Sequence, residues 1–450
     1  MKLRLVLFIL FILIISGSGN EALSQQSEVL TLDQAINFAL LNNRSAQNAR
    51  LDVEKGADKV GAAKTSRLPQ FKITGIASQP LSTFDTTFEK GVFGTTPSGP
   101  TPNEDTVITS SRSPNAFVVA QVSQPLSQLY RINLKIKQQE TQTEISQARL
   151  TAKQQALVND VKRSYYAILQ TQGAVDAAET NIKLYKELDR VTGEYVVQQV
   201  ALKTDLMDVQ AKLARAEYEV LALFNQLATQ KEQLNSLLGR DIRTDFHVAD
   251  GVETMQLIMR ETDLDQARQK AMSQRPEIRE ARMRVASAKL DKRIKKSEYI
   301  PDVSVTVTHA TTFSYSDFLP RAVSGVGLQV EWEAFDWGRK KRELAEKQLS
   351  INQADNDLKD MESQVLMEVN SRFRKVQETS QLLKVTRLAQ TSARANVQMV
   401  TYKYRLDAVL LKDVLQAQTA LATTDYEYQK ALLSFWTAKA DFEKAIGEDR

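Results

Sequence analysis

The sequence repeats itself in two halves, and this duplication constrains the fold more than any other feature. The segment that begins LDQAINFALLNN at Leu32 aligns without a gap with LDQARQKAMSQR at Leu264, so that Pro69 matches Pro301. At a second constant spacing, Gln121 matches Gln329, Arg131 matches Arg339 and Gly239 matches Gly447. Two matches of this length predict two copies of one structural unit, residues 25–250 and 251–450.

The prolines divide each half in the same way. Proline is absent from Leu126 to Arg275 and again after Pro320. Because proline interrupts helices, these stretches can be continuous helix. Each half therefore predicts a helix, a strand, a loop, a strand, and a long helix that turns at a tip into another long helix. Thr31 with Gln34, and Asp263 with Gln266, have the spacing of a helix cap and its reciprocal partner.

The long helices carry the pattern of coiled coils. Their apolar residues recur at alternating steps of three and four, a period of about 3.5 residues. The outgoing helix, from about Asn133 to Val191, would be on the order of 90 Å long. The returning helices carry Leu206, Val209, Leu213, Ala216, Val220, Leu223, Leu227, Gln230, Leu234 and Leu237 in the first half, and Val414, Ala417, Leu421, Thr424, Tyr428, Ala431, Phe435, Ala438, Phe442 and Ala445 in the second. The fold class is mainly α with a small β part.

The N-terminus predicts export. Lys2 and Arg4 precede an apolar run from Leu5 to Ile15, and small residues follow it. This is the pattern of a secretory signal peptide, assigned to residues 1–24. Cleavage could follow either Ser18 or Ser24, since small residues precede both positions. The alternative, a membrane anchor, requires a longer apolar run.

Two strands of the second half alternate strictly between apolar and polar residues. The first has Val303, Val305 and Val307 on one face, and the second has Val326, Leu328, Val330 and Trp332. Such alternation over about ten residues fits a strand that faces lipid on one side and water on the other. A half-buried sheet of a soluble protein fits the same pattern. The first half has weaker strands at Gln70 and Asn115, and the stretch from Pro80 to Ser113 predicts a long exposed loop.

Membrane insertion would require several copies of the chain. Four strands cannot close a barrel, since the smallest transmembrane barrels have about eight, and lipid does not tolerate open strand edges. The strands therefore predict an oligomer in a membrane, or a sheet that is not in a membrane. Trp332, Phe335 and Trp337 would then form an aromatic belt at the membrane surface.

Composition narrows the function classes. The sequence has no cysteine, two histidines without a motif partner, and a net charge of +4 spread along the chain. We therefore predict no enzyme, no catalytic, cofactor or metal site, and no nucleic-acid partner. A periplasmic adaptor or another exported coiled-coil scaffold is the competing class, although such a scaffold need not carry duplicated amphipathic strands.

Short motifs recur in order along the mature chain. They are LTLDQAINFAL at Leu30, RLP at Arg67, SQPL at Ser123, FDWGR at Phe335 and KDVLQAQTAL at Lys412. With these motifs the sequence resembles the TolC-like outer membrane efflux protein family. The resemblance implies a homotrimer whose twelve strands form one barrel in outer-membrane lipid, continued by a helical tunnel through the periplasm. It also implies a periplasmic adaptor protein and an inner-membrane pump as partners, in tripartite efflux or type I secretion.

The resemblance further implies a periplasmic gate and docking tips. The family's gate acids match Asp205, Asp208 and Asp413, while Gln416 occupies the place of a further acid. Carboxylates around a narrow lumen would attract cations; the alternative is that these acids only favour the first turns of their helices. The docking residues lie in 193–204 and 402–412, and they are Gly193, Tyr195, Gln199, Leu202, Lys203, Tyr404, Arg405, Asp407, Leu410 and Lys412. Gln199 and Asp407 stand where the family usually has glycine. The basic runs Lys289–Lys296 and Arg339–Arg342 are expected on solvated surfaces.

Overall fold

The computed structural model describes residues 28–79, 81–83, 85–109, 112, 114–249, 263–313, 321–406 and 408–448. The predicted signal peptide and the predicted docking residue Asp407 lie outside these residues. The chain divides into two compact units, and each combines segments of both predicted repeats. The first unit comprises Met1–Gln47, Lys153–Gln274 and Leu366–Arg450, and the second comprises Asn48–Ala152 and Arg275–Val365.

The described residues form eight helices and ten strands. The helices are α1 (Leu32–Asn42), α2 (Arg44–Thr65), α3 (Leu129–Val197), α4 (Lys203–Leu238), α5 (Leu264–Gln274), α6 (Pro276–Ser297), α7 (Arg339–Arg405) and α8 (Leu411–Ile446). The strands are β1 (Glu28–Leu30), β2 (Gln70–Ser78), β3 (Asp85–Phe88), β4 (Thr95–Thr96), β5 (Gly99–Pro100), β6 (Thr106–Thr109), β7 (Asn115–Pro125), β8 (Phe246–Val248), β9 (Asp302–Phe313) and β10 (Ala322–Glu331). The order of the main elements follows the prediction, but each half begins with two helices in place of one, and β1 and β8 were not predicted.

The helix boundaries have identifiable chemical causes. The Thr31 side chain accepts the Gln34 N–H, and the Gln34 side chain accepts the Thr31 N–H, as predicted. The Asp263 carboxylate instead accepts the N–H of Asp265 at 3.2 Å. Gly239 ends α4 with a φ of 74°, and a Cβ there would lie 2.8 Å from the carbonyl carbon of Asn42. Only glycine meets both conditions at that position.

The long helices pair as the coiled-coil pattern predicts. Helix α3 has 69 residues and α7 has 67, while α4 and α8 have 36 each. The predicted ladder residues of α4 and α8 are all buried or half-buried. In the first unit, the hydrogen bond from Gln390 to Asp425 joins α7 to α8 at 2.7 Å.

A buried acid ties three of these helices together in the first unit. Asp441 of α8 is 9% exposed. Its carboxylate accepts a hydrogen bond from Asn159 of α3 at 3.1 Å and another from Arg372 of α7 at 2.8 Å. Because Asn159 is also buried, the carboxylate and the amide satisfy each other away from water.

Two short parallel strands lie beside the middle of α3 in the first unit. Strand β1 pairs with β8 from Glu28↔Phe246 to Leu30↔Val248. The Tyr165 hydroxyl lies 3.0 Å from the Leu30 carbonyl and 3.2 Å from the Ala249 carbonyl. One buried side chain of α3 thereby fixes both strands.

The second unit contains an antiparallel four-stranded sheet in the order β10-β9-β7-β2. Its edge strands, β2 and β10, are exposed along their whole lengths. The predicted loop of the first half contains two small antiparallel pairs, β3 with β6 and β4 with β5. The prediction of a plain loop was too simple there, because β-branched threonines at six of these strand positions favour extended backbone.

Candidate functional site: the helical tips and the strand faces

The first tip begins where α3 ends. Gln199 adopts a φ of 62°, in the left-handed region. The Val200 N–H donates to the Tyr195 carbonyl at 2.8 Å, and the Gln199 N–H donates to the Val196 carbonyl at 3.0 Å. These two bonds form a Schellman motif, whose left-handed position normally holds glycine. Gln199 therefore makes the expected turn with a strained backbone.

Helix α4 then begins with half of a capping box. Leu202 is extended, and its N–H donates to the Asp205 carboxylate at 3.2 Å. A leucine side chain cannot accept the matching bond, so only the acid half of a capping box is present. Asp205 is exposed. Its carboxylate therefore stabilises the first turn of α4 and remains accessible to solvent.

Asp208 lies one turn further on and has an ion-pair partner. Its carboxylate is 2.7 Å from the ammonium of Lys212, which raises the pKa of that lysine through the hydrogen bond between them. At the matching positions of the second half stand Gln416, which is exposed, and Ala420. The second half thus lacks both members of the ion pair. Because Asp208 and Lys212 cancel and Gln416 and Ala420 are neutral, the net charge at these two positions is zero in both halves.

The second tip repeats the first in its backbone bonds. The Ala408 N–H donates to the Lys403 carbonyl at 3.0 Å, which is the long bond of a Schellman motif. The Leu410 N–H donates to the Asp413 carboxylate at 3.0 Å. Asp413 is half-buried, whereas its counterpart Asp205 is exposed.

The structure places the remaining predicted docking residues around these turns. Gly193 and Tyr195 lie in the last two turns of α3, and a Cβ on Gly193 would lie 4.0 Å from the Leu206 side chain of α4. A Cβ at Gly193 would thus make only an ordinary van der Waals contact, and helix packing does not require glycine at this position. Leu202 and Lys203 start α4, Tyr404 and Arg405 end α7, and Leu410 and Lys412 start α8. The sequence analysis missed Lys212, although its spacing of four from Asp208 is the signal of a helical ion pair.

The sheet separates apolar from polar side chains at the end nearer the helices. The register pairs Val326 with Val307, Leu328 with Val305 and Val330 with Val303, which puts all six on one face. Strand pairing extends this face to Val122 of β7 and Phe71 of β2. Val326 and Leu328 are 76% and 70% exposed.

The opposite face of the same strands is polar. It carries Gln329 opposite Ser304 and Gly327 opposite Thr306, followed by Ser123 and Gln70 on the next strands. The predicted alternation of β9 and β10 is confirmed, and the row that contains Val326 and Val307 continues it to Val122 and Phe71. Near the loops, His309 and Ser324 share the apolar face and hydrogen-bond each other at 2.8 Å.

The FDWGR motif forms a tight turn after β10. The Asp336 carboxylate accepts the N–H of Gly338 at 3.0 Å and that of Lys340 at 2.8 Å, and these bonds lower the pKa of Asp336. Trp337, which lies between Asp336 and Gly338, has a φ of 55° and is 88% exposed. The Phe335 and Trp337 rings meet edge to face at 4.8 Å between centroids. The strained turn thus presents two aromatic rings to the outside.

None of the helices among the described residues combines the length and the apolar character needed to cross a membrane.

The fold is that of solved outer-membrane channels. The structure of the CmeC outer membrane channel of Campylobacter jejuni is similar with a TM-score of 0.74 and 15% identity, over 93% of this chain and 86% of that chain. The open state of the Neisseria gonorrhoeae MtrE outer membrane channel is similar with a TM-score of 0.70 and 16% identity, over 92% and 88%.

Sequence comparison leads to the same group. The chain is 21% identical to Outer membrane protein TolC of Escherichia coli over 458 residues, which cover 96% of this chain and 85% of that protein. Residues 35–240 and 267–448 match the family described as outer membrane efflux protein. Since this match spans most of the chain, the protein belongs to the outer membrane efflux protein family and is an outer-membrane channel of an efflux system.

Proposed function

We propose that three copies of the chain form one exit duct across the outer membrane and the periplasm. Each copy contributes four strands to a twelve-stranded barrel, with β2 of one protomer paired to β10 of the next. The repeats, residues 25–250 and 251–450, each supply two strands and one long helical hairpin. The hairpins continue the barrel as a tunnel.

The exposure of the two edge strands carries this proposal. Strands β2 and β10 each have one neighbour in the sheet and are exposed throughout. One face of the sheet is apolar, so lipid can cover it, but the backbone groups of an open edge have no partner in lipid. Pairing the edges between copies satisfies those groups and closes the barrel.

The long helices have unpaired apolar surface that a tunnel would use. Tyr218, Leu221 and Phe224 of α4 are exposed, on a different side of the helix from the coiled-coil ladder. Val385 and Leu388 of α7 are exposed as well. Packing against helices of neighbouring protomers would bury these side chains.

The tips are the proposed docking and gating region. Four lysines or arginines at the tips are exposed and suit an adaptor surface that carries carboxylates, namely Lys203, Lys403, Arg405 and Lys412. Asp205 and Asp413 of each copy would converge on the lumen and restrict it, whereas Asp208 is neutralised by its lysine. Substrates would pass from an inner-membrane pump through the adaptor and the duct, in efflux or in type I secretion.

Disulfide crosslinking tests the barrel directly, because the chain has no cysteine of its own. One cysteine replaces Thr74 in β2 and a second is moved along β10, from Ser324 to Gln329. Two strands separate β2 from β10 within a copy, a gap of about 14 Å that no disulfide can span. Oxidation should therefore link separate chains into covalent dimers and trimers, and no larger species should form. Absence of linked chains at every position, or crosslinking that stops at dimers, would refute the proposed closure.

A further inference from the structure

A surface pocket of about 730 Å³ lies in the second unit, beside the start of β9. It is lined by the end of α6, the start of α3, the start of α7 and the residues just before the strand. The lining residues used below are Tyr130, Arg293, Lys296, Tyr299, Ile300 and Leu344. A volume of this size fits a small ligand or a lipid headgroup.

Two cations of the pocket have no acidic partner. Arg293 and Lys296 are exposed and lie one turn apart on α6. Among the residues that the structure describes, neither forms an ion pair, and Arg293 has only the Tyr130 hydroxyl at 3.5 Å. Unpaired guanidinium and ammonium groups at this spacing offer several donors to a single anion.

Neighbouring cations differ from these two. Lys295 lies between them in sequence and is hydrogen-bonded to Glu298 at 2.7 Å and paired with Glu343 at 2.6 Å. Both interactions raise the pKa of Lys295. Lys340 donates to the Glu333 carbonyl at 2.9 Å. Lys295 and Lys340 therefore have partners of their own, whereas Arg293 and Lys296 are available to a ligand in the pocket.

Apart from Ser297, the rest of the pocket wall is apolar or aromatic. Tyr130, Tyr299 and Ile300 are exposed to about the same extent, at 49%, 47% and 45%. The Lys340 ammonium lies 5.9 Å from the centre of the Tyr299 ring. Half-exposed tyrosines beside cations are typical of a protein surface at the boundary between acyl chains and headgroups.

The position along the chain supports that boundary. Ile300 is followed by Pro301 and then by β9, so the pocket lies at the helix end of the sheet. Trp332, Phe335 and Trp337 follow the last residue of β10 at the same end, and all three are exposed. The apolar face of the sheet therefore ends in an aromatic girdle at the level of the pocket.

We propose that this pocket binds the phosphate headgroup of an anionic phospholipid. Arg293 and Lys296 hold the phosphate, and the tyrosines and Ile300 contact the first part of an acyl chain. The inference rests on the proposed insertion of the sheet into the outer membrane. It assigns a ligand to cations that the sequence alone placed on a solvated surface.

Native mass spectrometry of the purified full chain in detergent tests the inference with two probes, palmitoyl-oleoyl phosphatidylglycerol and palmitoyl-oleoyl phosphatidylcholine. The wild-type protein should retain phosphatidylglycerol preferentially. The double variant Arg293→Gln, Lys296→Gln should bind it at least tenfold more weakly, because it removes both charged donors to the phosphate. Both side chains are exposed, so the variant should fold. Lys289→Gln removes one positive charge from α6 at a residue outside the pocket lining. This variant should bind phosphatidylglycerol like the wild type.

Further arms separate the possible outcomes. Millimolar inorganic phosphate should not displace the phosphatidylglycerol, because free phosphate makes no contact with the aromatic wall. Displacement of the lipid by phosphate would overturn a lipid site. Equal retention of the two lipids, or equal loss in Lys289→Gln, would also overturn the inference. A salt wash of membranes tests the underlying insertion separately: release of the wild-type protein as soluble monomer would refute the barrel, while a membrane-bound protein without lipid preference would refute only this site.

Discussion

Replacement of the tip acids separates their charge from their capping role. Asp205→Asn with Asp413→Asn removes both charges, but an asparagine side-chain oxygen can still accept the N–H of Leu202 or Leu410. Asp205→Ala with Asp413→Ala removes the charges and the acceptors together. The structure therefore allows one pair of variants to test which property closes the channel.

The two effects have different expected sizes. Each cap is a single hydrogen bond, 3.2 Å at α4 and 3.0 Å at α8, on side chains that are exposed or half-buried. Loss of such a bond costs about 0.5–1 kcal/mol per helix. A carboxylate about 12 Å from a passing ion, at an effective dielectric constant of about 20, contributes about 1.4 kcal/mol, or a tenfold change in ion distribution.

Single-channel recording in planar bilayers measures both effects. Conductance reports the width of the gate, and the reversal potential in a potassium chloride gradient reports the preference for cations. The charge hypothesis predicts that both double variants raise conductance and lower cation preference several-fold. Gln416→Asp adds the acid that the second half lacks and should raise cation preference.

Other outcomes have a clear meaning. An increase in conductance in the alanine variant alone would assign the closure to the helix caps. Unchanged conductance and unchanged reversal potential in both double variants would reject Asp205 and Asp413 as gate residues. As a control, Asp208→Asn with Lys212→Gln removes an existing ion pair without changing net charge, and it should leave both readings unchanged.

Four further substitutions test packing, backbone strain and the assignment of the sheet faces. Asp441→Ala leaves the buried Asn159 amide without its acceptor and should destabilise the helices by about 2–3 kcal/mol, seen as a lower Tm in detergent; an unchanged Tm would contradict the buried network. Gln199→Gly relieves the left-handed backbone and should stabilise the first tip by about 1 kcal/mol, measured as slower amide exchange there; faster exchange would contradict it. Leu328→Arg on the apolar face should lower folding stability in vesicles by about 2–4 kcal/mol, whereas Gln329→Arg on the polar face should have little effect; equal losses would contradict the assigned faces.

Much of the fold could be predicted because its signals are periodic. A ladder of apolar residues over ten positions per helix determines the buried side, and strict alternation in β9 and β10 determines two faces. The cap at Thr31 follows from two residues at fixed spacing and is confirmed. The two small antiparallel strand pairs within the loop were missed, since strands of two to four residues are too short for a period to be visible.

The chemistry of the tips was harder to predict, since it depends on geometry over a few residues. The spacing from Leu202 to Asp205 is compatible with a cap, but leucine gave no reason to expect one. The Asp441 contacts could not be predicted, because Asn159 is more than half the chain away in sequence. The gate and docking roles stay predictions that the tip geometry makes testable.

The exposed edges of β2 and β10 also determine how the protein can be made. In the proposed trimer, a chain that reached the bilayer alone would carry two unsatisfied edges into lipid, so insertion and assembly must occur as one event. The yield of inserted protein should therefore fall steeply as expression is reduced, more steeply than for a barrel built from one chain. A chain with a defective edge strand would also disable its two partners, and such variants should be genetically dominant.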